Sequence, residues 1–399
     1  MKILIVCQHY FPERFRITDI AESLANKYDH DVTVLTALPN YPEGKVYSGY
    51  EEKKNTFQKI NNVTVYRTNI IPRGHSVFSR ILNYVSFPIF SRRVLRKLYK
   101  LNFDIIFINQ LSPILMALPG LWYKRKKGTK CILYAMDLWP ESLKAGGISQ
   151  KNVIFLIMLK ISRYIYKRCD KIFVTSPGFV DYFKKVLKLD NKISFLPQYS
   201  ENIFNKSAQP NQLPAGDKYF VFAGNIGKLQ SVETILFAAK ELIDHKDIKF
   251  LIAGSGSNLE NCLKICTENN LSNVDFLGEL HLSEMPQLYE RATAMLISLN
   301  KDKNLSKTIP GKFQSYLAFG KPVIGAINGE VNRIINENNL GIAVEAENFI
   351  ELSNAILEIL KNKNYSDLGI NSYDYYVNNY SKEKFMKTLI DEMELTKNV

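Results

Sequence analysis

Short apolar runs alternate with amphipathic stretches from the first residues of the chain onward. Residues 3–7 (ILIVC) and 32–36 (VTVLT) are largely apolar, and between them Ile17, Ile20, Ala21, Leu24 and Ala25 recur at helical spacing. Strand, helix and strand at this separation predict a βαβ unit with a parallel sheet. Further apolar runs at 105–108, 131–135 and 172–174 continue the array. Residues 197–217 then lose all periodicity and collect prolines, asparagines and a glycine, which predicts a linker at 199–217. The pattern restarts with a strand at 219–223, a tight loop at 224–228 and a helix carrying Val232, Ile235, Leu236, Ala239, Leu242 and Ile243 on one side. Strands at 250–253, 274–277, 294–298, 323–324 and 342–344 follow. The expected organisation is α/β, with one βα array over residues 1–198 and a second over 218–372.

A chain of 399 residues exceeds the roughly 250–300 at which single cores stop growing, which agrees with two domains. Its 46% hydrophobic and 23% charged residues are those of an ordinary globular protein. The opening MKILIVCQHYF is too short for a signal-peptide core and lacks a small-residue cleavage site, so it reads as a buried strand. The longest purely apolar run, 153–159, falls far short of the roughly 20 residues a spanning helix needs. Five cysteines cannot all pair. Cys7 and Cys131 fall in expected strands, and Cys262 and Cys266 in an expected helix with no second pair of ligands nearby, so reduced core cysteines in a cytosolic protein are expected.

The net charge of +13 is clustered in the first half. Arg92, Arg93, Arg96, Lys97 and Lys100 share one side of an expected helix, with Phe90, Val94, Leu95, Leu98 and Leu101 on the other. Lys124, Arg125, Lys126 and Lys127 close another helix, and Lys160, Arg163, Lys167 and Arg168 line a third. No nucleic-acid recognition motif accompanies this charge. Basic amphipathic helices beside Tyr84, Phe87 and Phe90, read as exposed aromatics, fit an anionic membrane surface better than nucleic acid. Solvated helix faces are the plainer alternative for each cluster alone.

In parallel α/β sheets, ligands bind where strand ends lead into helix N-termini. The first such loop, Gln8-His9-Tyr10-Phe11-Pro12-Glu13-Arg14, contains no glycine, which disfavours a nicotinamide-binding dehydrogenase. His9, Glu13, Arg14 and Arg16 instead suggest recognition of a polar group. In the second array, Gly224-Asn225-Ile226-Gly227-Lys228 follows a strand and precedes a helix, leaving bare backbone N–H groups and one ammonium at a positive helix end. Gly254-Ser255-Gly256 repeats the arrangement, and Gly311-Lys312 opens a third helix. Three such loops in one domain point to a nucleoside diphosphate. Gly320-Lys321-Pro322 is plainer punctuation: glycine ends the helix and proline prevents its continuation. In the first array, Asp137-Leu138-Trp139-Pro140-Glu141 follows a strand, setting a carboxylate pair beside a tryptophan that could stack on a sugar face. Asp29-His30-Asp31 lies between helix and strand, on the opposite edge, and reads as a turn.

With these loops placed, the chain resembles a family 4 glycosyltransferase of the GT-B fold, in the subgroup that builds O-antigens, capsules and related surface polysaccharides and includes N-acetylfucosamine transferases. The motifs that carry the resemblance are QHYFPE with FRITDIAESLA, NYPEGK (40–45), DLWPES (137–142), GNIGKLQS (224–231) and PGKFQSYLAFGKPVI (310–324). The resemblance implies two Rossmann-like domains facing across a cleft, a last helix (381–397) returning to the first domain, and transfer with retention at the anomeric carbon. It implies a sugar nucleotide, UDP-linked by preference, held by the second domain, and a polyprenyl-diphosphate-linked glycan held by the first.

On this reading Lys312, Asp137, Glu141 and His9 are the catalytic candidates. Gly224, Asn225, Lys228, Gly254, Gly256, Gly311, Ser315 and Glu330 are the donor-binding ones, and Glu13, Arg14, Arg16 and Trp139 contact the acceptor. No metal or other cofactor is expected, since Lys312 would offset charge on the departing diphosphate. The chain departs from the family where two glutamates eight positions apart are usual: Lys307 and Ser315 stand there. Asn225 and Gln230 replace the family's Arg and Lys, with Lys228 as a substitute, and Met136 replaces the usual His. The expected protein works at the cytoplasmic face of a membrane. A sugar-nucleotide epimerase of the same fold and a non-enzymatic membrane-binding protein are the rival readings.

Overall fold

The computed structural model describes all residues except 52–53, 73–76, 190–191, 201–217, 303–304, 363 and 399, and it divides into two compact units. Most of the linker expected at 199–217 therefore lies outside the described residues. The N-terminal unit comprises Met1–Thr175, Phe179–Leu196 and Met386–Val399. Its elements run β1 (Lys2–Val6), α1 (Arg16–Asn26), β2 (Asp31–Ala37), β3 (Phe57–Ile60), β4 (Val63–Thr68), α2 (Val77–Leu98), β5 (Ile105–Gln110), α3 (Leu118–Lys127), β6 (Lys130–Ala135), α4 (Val153–Arg168), β7 (Lys171–Val174), α5 (Pro177–Lys185) and β8 (Ile193–Phe195). They form one sheet in the order β3-β4-β2-β1-β5-β6-β7-β8, parallel except for the β3–β4 pair. Residues 3–6 and 105–108 are wholly buried because parallel strands in mid-sheet are covered on both faces, which is why they read as unbroken apolar runs.

The β3–β4 hairpin has no counterpart in the expected elements. β3 is short and partly exposed, β4 beside it is largely buried, and their turn is the pair Asn61-Asn62, both with positive φ (46° and 66°). That geometry favours Asn, Asp or Gly and matches the twist of a tight hairpin. Phe87 also differs from its reading as an exposed aromatic: it is fully buried, whereas Phe90 is exposed.

The C-terminal unit comprises Ser176–Gly178 and Pro197–Phe385. Its elements are β9 (Lys218–Ala223), α6 (Val232–Glu241), β10 (Ile248–Ala253), α7 (Leu259–Glu268), β11 (Val274–Gly278), α8 (Met285–Arg291), β12 (Ala292–Ser298), α9 (Gly311–Ala318), β13 (Val323–Ala326), α10 (Glu330–Glu337), β14 (Gly341–Val344), α11 (Phe349–Lys361) and α12 (Tyr365–Tyr380). Six parallel strands pair in the order β11-β10-β9-β12-β13-β14. Alternate residues of β9 feed two cores. Tyr219, Val221 and Ala223 join one with α9, and Phe220 and Phe222 join the other with α6 and α11. The final helix, α13 (Lys382–Asn398), contributes Met386–Val399 to the N-terminal unit, where Met386, Leu389 and Met393 are buried and Glu392 pairs with Lys171 at 2.9 Å. All five cysteines are unpaired, four of them buried.

Candidate active site

In both sheets the chain reverses its direction of strand addition at one point, between β1 and β5 and between β9 and β12. A crevice opens there at the carboxyl ends of the strands, since the loops on either side lead away from each other. In the N-terminal unit it holds a cavity of about 330 Å³ lined by residues that include Gln8 and His9 after β1, Asn40 and Tyr41 after β2, Asn83 and Tyr84 of α2, Ser112 after β5, and Met136 and Asp137 after β6.

Glu13 holds this cavity's wall together. Buried, it accepts hydrogen bonds from the backbone N–H groups of Asn40 (2.8 Å), Tyr41 (2.7 Å) and Tyr10 (3.3 Å), and its Oε2 lies 3.0 Å from His9 Nδ1. With its oxygens so occupied, Glu13 ties two loops to each other and does not present a carboxylate to an acceptor. His9 stacks on Phe15 (centroids 4.9 Å apart) and meets Tyr41 edge-on. Because a carboxylate can only accept, the proton on His9 belongs on Nδ1, which leaves Nε2 as the nitrogen available to the cavity.

Asp137 lines the cavity with its carboxylate fixed by the hydroxyls of Ser112 and Ser142 and by Leu138 N–H (2.9 Å). Its expected neighbours do other work. Trp139 is buried, donates Nε1–H to Ser112 Oγ at 2.7 Å and meets Tyr84 edge-on, so it carries no exposed face for a sugar. Tyr41 and Tyr84 line the cavity instead. Glu141 is buried in an ion pair with Lys144, accepts a hydrogen bond from Tyr182 (3.1 Å) and stands outside the cavity lining, so its carboxylate does not face this cavity. Arg14 and Arg16 also stand outside the lining. Gln110, which the sequence reading passed over, holds the two loops that carry Ser112 and Asp137: its amide donates to the carbonyls of Leu111 (2.7 Å) and Asp137 (3.2 Å).

In the C-terminal unit the glycine loops interlock. Ile226 N–H donates to Ser255 O (2.7 Å) and Asn258 N–H to Ile226 O (3.0 Å). A Cβ on Gly254 would stand 1.9 Å from Gly224 O, and one on Gly256 2.5 Å from Ile226 O; both glycines have positive φ (136° and 156°). Gly254→Ala is therefore expected to destabilise the protein by at least about 2 kcal/mol, read as a lowered thermal midpoint. An unchanged midpoint would show that the loops part without cost.

Lys312 occupies the space beside Gly224, where a Cβ would lie 3.0 Å from Lys312 Cε and Nζ. Its amine is buried, sits 3.6 Å from the Phe222 ring centroid and has no hydrogen-bond partner among the described residues. Burial alone lowers its pKa from 10.5 to about 7. The position of α9 is set by Tyr316, whose hydroxyl bonds both the N–H (3.0 Å) and the carbonyl (3.1 Å) of Ala223, the last residue of β9. Gly311 begins the helix with open space around it.

The remaining expected donor residues are less direct. Asn225 is exposed and donates to Gln230 Oε1 (3.1 Å), and Lys228 is exposed in the same loop. Ser315 is buried with its hydroxyl 3.4 Å from Ser200 Oγ. Glu330 opens α10 and pairs with Arg333 at 2.6 Å.

Two Rossmann-like sheets, each with a polar site at its switch point, are the architecture of the GT-B fold. The sequence comparisons agree. Residues 15–198 match the model of Glycosyltransferase Family 4 and residues 204–383 that of Glycosyl transferases group 1, and the chain belongs to these glycosyltransferases. It is 25% identical over 299 residues to the probable glycosyltransferase WbjE of Pseudomonas aeruginosa, covering 71% of this chain and 74% of that protein. It is 26% identical over 342 residues to the putative colanic acid biosynthesis glycosyl transferase WcaI of Escherichia coli K12, covering 80% and 82%. Among solved structures, Anabaena Alr3699/HepE in complex with UDP and glucose superposes with a TM-score of 0.68 at 12% identity, over 99% of both chains.

Proposed function

We propose that the protein is a retaining glycosyltransferase of surface-polysaccharide assembly. It moves an N-acetyl-hexosamine or a deoxy derivative from a UDP-sugar to a polyprenyl-diphosphate-linked glycan at the cytoplasmic face of a membrane. The observation that carries this reading is the buried, unpartnered amine of Lys312 beside the bare backbone of Gly224. A buried cation with no counter-charge is unfavourable until an anion arrives, so the arrangement is built for a ligand that brings negative charge. A diphosphate supplies that charge and gains more of it as the sugar bond breaks, which lets Lys312 act where other transferases use a metal ion. The name of WcaI, a putative colanic acid biosynthesis glycosyl transferase, supports a role in polysaccharide assembly, and the UDP and glucose bound to the Anabaena structure support the donor class.

The epimerase alternative needs a pair of acid and base carboxylates, but Glu13 and Glu141 are held by other partners and the cavity lining supplies one carboxylate, Asp137. A purely membrane-binding protein has no use for Lys312.

Thermal shift across UDP-, GDP- and dTDP-sugars tests the donor. A UDP-sugar at one hundred times its Kd should add about 2.7 kcal/mol of stability. Stabilisation by none of the three would overturn the reading.

A further inference from the structure

Followed to their partners, the polar groups that line the cavity of the N-terminal unit leave hydrogen-bond acceptors unused. Gln8 is the clearest case. Asn83 donates its amide N–H to the carbonyl of Ile71 at 2.7 Å, and its Oδ1 accepts from Gln8 Nε2 at 3.3 Å. That pairing fixes the Gln8 amide one way round, because the reverse would set two oxygens against each other. Gln8 is 2% exposed, and its Oε1 is buried with no hydrogen-bond partner among the described residues. An acceptor left unmet at the wall of a cavity costs free energy that an arriving N–H or O–H recovers.

Asp137 repeats the pattern. Its Oδ1 takes the hydroxyl of Ser142 and the N–H of Leu138, whereas Oδ2 takes the hydroxyl of Ser112. A carboxylate oxygen has room for two donors, so Oδ2 keeps one position open among the described residues. In the neutral ring, His9 Nε2 is a further acceptor. No lysine or arginine stands among the described residues of the lining, while Phe15, Tyr41, Tyr84 and Met136 bring it apolar surface.

Such a wall suits a ligand rich in O–H or N–H donors, with an apolar face and without negative charge. A sugar ring meets all three demands: its hydroxyls or acetamido N–H donate, and its C–H face packs on aromatic rings. An anion would meet Asp137 with no cation in the described lining to offset the repulsion. The volume of about 330 Å³ lies at the lower end of the roughly 300–1,000 Å³ of ligand pockets, which suits one sugar residue better than a nucleotide or a whole glycan.

We propose that this cavity seats one uncharged sugar residue, with Gln8 selecting it through a hydrogen bond and Asp137 turning away uronic acids and sugar phosphates. The choice of a sugar among neutral donors rests on the transferase reading. The sugar on the nucleotide and the sugar at the end of the glycan share this chemistry, and in either case the diphosphate stays outside the cavity.

The experiment is saturation-transfer NMR with the methyl glycosides of glucose, N-acetylglucosamine and glucuronic acid, first without nucleotide. The two neutral glycosides should bind, and the glucuronide at least about tenfold more weakly. Asp137→Asn should close most of that gap. Gln8→Met should weaken the neutral pair about three- to tenfold. Analogues of the tighter glycoside, each lacking one hydroxyl or the acetamido group, locate the contact: the one that has lost the donor to Gln8 should lose nothing further in Gln8→Met. Losses that add in every analogue would overturn the role of Gln8. Each variant is also checked for stabilisation by UDP. Loss of both in Gln8→Met reports unfolding, and the comparison of Asp137→Asn with wild type then decides. Displacement of the glycoside by UDP-glucose but not by UDP assigns the seat to the donor's sugar, and retention assigns it to the glycan's; either supports the seat. No binding of either neutral glycoside, a glucuronide that binds as well as they do, or displacement by UDP itself would each overturn it, while stabilisation of wild type by UDP would leave the transferase reading standing.

Discussion

Lys312→Ala should lower kcat by roughly 10²–10³-fold while raising the donor KM far less. Charge on the diphosphate grows as the sugar bond breaks, so an ammonium beside it is worth more in the transition state than in the ground state. The structure adds an outcome that helix punctuation could not give. Lys312 in the empty protein is a buried amine with no hydrogen-bond partner among the described residues, so Lys312→Met should raise the thermal midpoint even as it lowers kcat to a similar extent. Lys321, at the other end of the same segment, is the converse. Its Nζ donates to the carbonyls of Glu290 (2.8 Å) and Ala292 (3.0 Å), closing the end of α8. Lys321→Ala should cost about 1–3 kcal/mol of stability and leave kcat nearly intact. Release of UDP measured with the thermal midpoint separates the two. If both variants lose activity and stability in step, Lys312 is a structural residue and the donor site lies elsewhere.

Binding of UDP should take up a proton. Burial holds the Lys312 amine at about 7, against 10.5 in an open chain, and no charged group contributes to that shift. The unfolded chain therefore binds a proton up to pH 10.5 that the empty folded protein releases near 7. The corresponding stability is full above 10.5 and is lost as pH falls toward 7. A bound diphosphate reverses the shift by favouring the ammonium. Between pH 7.5 and 9.5, where the terminal phosphate of UDP is already ionised, binding should take up close to one proton, and Kd should rise by up to tenfold per pH unit. Titration calorimetry in buffers of different ionisation enthalpy reads this directly. Lys312→Met should abolish the buffer dependence, and a wild-type heat independent of buffer would refute the assignment.

The parts of the fold that a sequence displays are those under a repeating physical demand. Strands covered on both faces must be apolar throughout, so β1, β5, β6 and β9 stood out, whereas β3 is the partly exposed edge of its sheet and β4 beside it mixes Thr64, Tyr66, Arg67 and Thr68 with its two valines. Their turn was legible in Asn61-Asn62, a pair that tolerates positive φ, but no apolar alternation was strong enough to draw attention to it. The glycine loops were legible for a similar reason: at Gly254 the approach of another backbone excludes every other residue. Carboxylates were not. Glu13, Asp137 and Glu141 look alike in a loop sequence, and only the structure shows that Glu13 faces backbone N–H groups, Glu141 faces Lys144, and Asp137 alone lines the cavity. The isolation of the Lys312 amine was equally invisible, because a partner's absence is a property of the assembled site.

Asn225 and Gln230 stand where the resemblance led one to expect an arginine and a lysine, and they are bonded to each other on the open side of a loop whose backbone is fixed from beneath by Gly254 and Gly256. Scaffold and decoration are thus separable at this spot. Exchange of the polar pair in either direction is expected to leave the peptide geometry undisturbed and, on the proposed donor reading, to alter the preference among sugar nucleotides at little cost to the integrity of the molecule.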